Sequence, residues 1–149
     1  VPPYLAQYYI HKRGGETPVK LQRGTPEADV IEYALRPWPL GLSPVPPADA
    51  NLVIEIPFFK RKDPRTYNYL PPKAMAMLKT RLRLMCRMDL WNAMMKLQPD
   101  RQEQQEAIYL FMEKNGIKDD ETNLLALQKM FQRQMQDFLK KKRRKSTRP

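Results

Sequence analysis

Cys86 and His11 are the only thiol and the only imidazole of this chain. Together they are its whole supply of strong nucleophile and of base near neutral pH. Cys86 falls among Leu and Met in a stretch of helical periodicity, and His11 stands far away in an N-terminal segment. The expected thiol is therefore buried and inert. One Cys permits no intrachain disulfide and, with one His, no four-ligand Cys/His zinc site. Asp119-Asp120-Glu121 is contiguous, unlike the spaced acids of a metal triad, and suits the acidic start of a helix. No Gly-rich phosphate loop, HExxH or dinucleotide fingerprint occurs. The expectation is a protein that is not an enzyme and takes neither cofactor nor metal.

Binding chemistry is better supplied. Residues 140–149 read KKKRRKSTRP, seven cations without an acid, and so hold +7 of the formal +11; residues 1–139 carry 20 basic and 16 acidic residues. A run such as Lys140, Lys141, Lys142, Arg143, Arg144, Lys145 and Arg148 repels itself and suits a polyanion. Further cations recur at helical spacing: Lys79, Arg83 and Arg87 at i, i+4 and i+8, and Lys129 with Arg133 beside a row of Gln128, Gln132 and Gln136. One turn of helix separates successive members, a pitch that follows phosphates. A third group lies at 58–69, where Lys60, Arg61, Lys62 and Arg65 interleave with aromatics. There the cations are candidates for phosphate, and Phe59, Tyr67 and Tyr69 for stacking on unpaired bases.

The elements that must position these groups divide near Pro71-Pro72, because thirteen of the 15 prolines lie in residues 1–72. The first half reads as an extended, Pro-rich arm with one or two short strands, about 30–35 (VIEYAL) and about 52–56 (LVIEI). Residues 37–47, PWPLGLSPVPP, read as a connector suited to neighbouring protein subunits. The second half reads as three helices, about 72–97, 100–114 and 120–141. Pro72 suits a first turn, and Asp100 with Glu103 forms a capping box. Asn115-Gly116 with Ile117 ends the middle helix. In the first of the three, Met77, Leu84, Met88, Trp91 and Met95 are expected on the buried face, widened by Met75, Leu78, Leu82 and Met85. The expected fold is thus mainly α, with an arm at 1–71, a helical domain at 72–139 and a basic tail at 140–149. No apolar run reaches the length of a membrane span.

The leading functional expectation is a structural subunit of a ribonucleoprotein that binds RNA backbone through its tail and a helix face. In style, though not in family, it resembles ribosomal proteins, which join a compact piece to arms and basic tails. The first alternative is a helix-turn-helix-like DNA-binding regulator or mobile-element protein, built on the NGI turn at 115–117. Against it, the acids at 119–121 stand where such a recognition helix enters the major groove. The second alternative is a protein–protein assembly factor with a targeting tail. The expected location is intracellular, with a mitochondrion, and a leader removed before Val1, among the readings.

Overall fold

The computed structural model describes residues 1–42 and 49–146, the side chain of Ser146 excepted. Among these residues the chain is mainly α, with five helices and a few very short strands. It divides into two compact units, Val1–Leu84 and Met85–Pro149.

The first unit opens with α1 (Pro3–Lys12). Pro3 sits in the first turn, where a missing N–H costs nothing. Tyr4, Leu5, Tyr8 and Tyr9 are buried, a spacing of i, i+1, i+4 and i+5 that only a helix places on one side. The aromatic run is thus the buried face of a helix, not part of an extended arm. The second helix, α2 (Pro26–Ala34), overlaps the strand expected at 30–35 and corrects it. Thr25 caps α2 by accepting the Ala28 N–H at 3.4 Å, Pro26 opens it, and Glu27 and Asp29 match its N-terminal dipole. Ala28, Ile31 and Leu35 are buried at helical spacing, whereas Tyr33, which a strand would turn to the same side as Ile31, is 83% exposed.

Among the described residues, four strands complete this unit. β1 (Val19–Lys20) pairs in parallel with β3 (Ile54–Glu55), which lies inside the strand expected at 52–56. β2 (Arg36–Pro37) pairs antiparallel with β4 (Tyr67–Tyr69). The unit's core is built from Leu5, Tyr8, Tyr9, Val19, Ile31, Leu35 and Phe59. Of the Pro-rich connector, residues 43–47 lie outside the described residues.

Helix α3 (Pro72–Leu97) gives its first part to this unit and its remainder to the second. Its buried residues are Ala74, Leu78, Leu82, Cys86, Leu90 and Met94, each four apart. Met77, Leu84 and Met88 of the expected face are instead more than half exposed. Trp91 and Met95 are half-buried. Two apolar rows compete on this helix. The row that runs through Ala74 and Cys86 is the one buried. The thiol of Cys86 is enclosed there.

The second unit adds α4 (Gln104–Lys114) and α5 (Glu121–Ser146). Asp100 Oδ1 accepts the N–H groups of Gln102 and Glu103 at 2.8 and 3.0 Å, while Glu103 Oε2 accepts the Asp100 N–H at 3.4 Å. This reciprocal box closes the turn leading into α4. At the other end the Ile117 N–H bonds to Met112 O at 2.9 Å and the Gly116 N–H to Glu113 O at 3.3 Å. Both bonds of a Schellman motif are made, with Gly116 at φ 63° and Ile117 buried behind it. Asp120 caps α5 by accepting the Asn123 N–H at 2.8 Å.

Candidate nucleic-acid interface

Helix α5 is held to its unit by one side only. Leu124, Leu127, Phe131 and Gln134 are buried at spacings of three and four. Trp91 lies against Phe131 and Phe138, ring centres 6.0 and 5.6 Å away. Gln134 Nε2 donates to the Arg87 carbonyl at 2.9 Å. Beyond Gln134 the packing thins to the contacts of Asp137 with Arg87 and of Phe138 with Trp91, and every residue from Gln136 to Lys145 is exposed. Residues 140–145, roughly 9 Å of helix, all lie exposed.

The basic run is therefore not a separate tail. It is the last part of α5, which continues to Ser146 where the sequence pointed to an end near 141. Lys and Arg are good helix formers, and at a C-terminus they meet the negative end of the dipole. Their repulsion at i, i+3 and i+4 acts the other way. Lys140, Lys141, Lys142 and Lys145 form no ion pair or hydrogen bond with any described residue. Arg143 and Arg144 lie between them, and Arg148 is outside the described residues.

The helical repeat ties this end to the body of α5. Lys129, Arg133, Gln136, Lys140 and Arg144 are spaced four, three, four and four apart and lie opposite the buried seam. Asp137 is the only acid of α5 after its first turn. Arg87 Nη2 reaches it at 3.5 Å, so part of its charge is met within the unit. Arg87 is thereby tied to α5, while Lys79 and Arg83, in the N-terminal unit, are exposed and unpaired among the described residues.

The basic–aromatic run at 58–69 is largely spoken for. Lys62 Nζ donates to the carbonyl of Glu32 and, at 3.1 Å each, to those of Tyr33 and Leu35. It caps the C-terminus of α2, whose last carbonyls have no partner within the helix. The same ammonium stands 5.9 Å from the Tyr67 ring centre. Arg65 grips Asp63 through Nε and Nη2, the nearest contact 2.7 Å, and its own N–H bonds to Asp63 Oδ1. These bonds hold the Asp63 carboxyl below the usual carboxylate range. Phe59 is 3% exposed, which removes it as a stacking surface. Tyr69 meets Trp38 edge to face at 5.4 Å. Lys60 and Arg61 remain exposed and unpaired among the described residues, and the exposed ring beside them is Phe58, which its place in the run did not single out from Phe59.

Among the described residues no three His, Cys, Asp or Glu side chains come together as a metal site. Among the same residues no helix is long and apolar enough to cross a membrane. Comparison with protein-family models, with curated proteins and with solved structures returns no match.

Proposed function

We propose that this protein is a non-catalytic RNA-binding subunit of a ribonucleoprotein assembly, with α5 as its principal contact. The observation that carries the reading is the end of α5: six consecutive cations, 140–145, all exposed. Such a rod has no use in the core of its own unit. It gains most where phosphate lies on several sides, as between packed RNA helices. Lysine-rich contacts neutralise backbone and carry little sequence information. The DNA-reading alternative draws less support, because Asp119, Asp120 and Glu121 stand at the start of α5, where a recognition helix would meet phosphate. The reading as a pure assembly factor leaves the run at 140–145 with only an addressing role.

The test is a salt titration of binding to an RNA duplex and to a DNA duplex of matching sequence. The wild type is compared with a variant carrying Gln at 140–145. Each lost phosphate contact lowers the slope of log K against log salt by about 0.9 on B-form DNA. A fall of several units, with tighter binding to RNA, is expected. An unchanged slope removes α5 from the interface, and preference for one DNA sequence favours the regulator.

A further inference from the structure

The N-terminal unit holds a groove of about 630 Å³ between α2 and the first turns of α3. Its floor is aliphatic: Val30 and Ala34 from one helix, Ala74 and Met77 from the other. Met77 is 53% exposed although α3 buries a neighbouring row completely. Tyr33 stands over the groove with 83% of its surface open to solvent. These are two large apolar side chains that the unit leaves uncovered in one place.

The rim has a definite sign. Arg36, Lys73 and Arg81 line it against the single carboxylate of Asp29. Lys73 and Arg81 have no partner among the described residues. Arg36 uses Nη1 on the carbonyls of Tyr33 and Leu35, at 3.1 Å each, and keeps its full charge. Neutral methylenes below and an excess of two positive charges around the edge call for an occupant of the opposite pattern. Nucleic acid fits this poorly, since the groove offers one aromatic ring and otherwise aliphatic carbon, where bases favour aromatic faces. A peptide helix with an apolar stripe flanked by carboxylates fits both features, and such segments enter grooves between helices. The size falls within the usual range for specific pockets.

We propose that the α2–α3 groove docks an acidic amphipathic segment of a partner protein, with aliphatic side chains on Val30, Ala34 and Met77 and carboxylates on Arg36, Lys73 and Arg81. This goes beyond RNA binding and does not depend on it. It gives the N-terminal unit a role in joining a neighbouring subunit.

The probe is a synthetic peptide of roughly 15 residues. It carries Leu at i, i+3, i+4 and i+7, Glu on both flanks, one photoreactive leucine and a fluorophore. Binding to the full chain is read by anisotropy and the crosslinks are mapped by mass spectrometry. A chain with Gln at 140–145 is used in parallel, which separates the groove from attraction by α5. Crosslinks at 26–36 and 71–81 in both chains are expected. The exposed pair K73E/R81E should weaken binding at least about tenfold, and M77E should do the same with the melting curve unchanged. Equal binding by a peptide with Lys in place of Glu overturns the proposal. So does loss of binding in the 140–145 variant, crosslinking confined to α5, or displacement of the peptide by oligouridine.

Discussion

Tyr9 brings a buried phenol oxygen to the edge of the Arg13–Glu27 pair, whose nearest contact is 2.7 Å. Burial raises its pKa above the ordinary tyrosine value, Glu27 adds to the rise, and Arg13 pulls the other way. The folded chain thus holds this proton to higher pH than the unfolded chain. The associated stability is complete below about pH 10, the unfolded value. It is lost as pH climbs through the raised folded value. Tyr9→Phe should leave stability at pH 7 equal or slightly higher and flatten the loss above about pH 10, as read by urea unfolding across pH. A variant with the same alkaline loss as the wild type would exclude Tyr9 as its source. Lys62 answers a different question. Lys62→Met should cost roughly 1–2 kcal/mol, because the α2 carbonyls lose their cap, yet leave the salt slope of RNA binding untouched. A slope reduced by a full unit would return Lys62 to the phosphate-binding set. Nothing in the sequence separates Lys62 from Lys60 two positions earlier. The difference lies in the end of α2, which the chain brings beside residue 62 from some thirty positions away.

At the scale of elements, α3 ends on a residue ill suited to its backbone. Gln98 adopts φ 45°, the left-handed region, just before Pro99. Gln98→Gly should stabilise the chain by roughly 0.5–1 kcal/mol in chemical denaturation, since Gly carries no Cβ penalty there. A loss of stability would mean that the Gln side chain contributes more than its strain. The better-behaved end of α4, with Gly116 at φ 63°, was plain from Asn115-Gly116-Ile117, because that motif is local in sequence. So was the capping box at Asp100 and Glu103. At residues 30–35 the β-branched composition suggests a strand, but the end signals that precede it outweigh that preference. Thr25-Pro26-Glu27 is a complete helix start, and Ile31 with Leu35 fits a helix as well as a strand. Helix α1 hid behind its aromatic content in the same way. The buried face of α3 was legible only in part: Leu78 and Leu82 are buried as expected, while Met77, Leu84 and Met88 are not. Its two apolar rows are equally hydrophobic, and only the neighbours decide which one is covered.

Over the whole molecule the charge is unevenly placed, and that much the sequence stated directly. What it did not disclose is that the cations at 140–145 ride on a helix continuous with Lys129 and Arg133. It also did not disclose that the one intervening acid, Asp137, faces Arg87. The pair is exposed and worth little to stability. Asp137→Asn should therefore leave the melting temperature within error, yet tighten RNA binding about threefold at low salt by removing one repulsive charge and releasing Arg87. Weaker binding would place Asp137 among the contacts rather than against them. Circular dichroism should show added helical signal when polyphosphate is titrated in, because relief of i, i+4 repulsion favours the last turns of α5.

The enclosure of Cys86, the only sulfhydryl, has a practical consequence. Maleimide reagents find no competing reactive group on the native surface. A single cysteine installed at Lys129 or at Met77 therefore accepts a dye or spin label without background. Occupancy of α5 and of the α2–α3 groove can then be followed as separate signals in the intact protein.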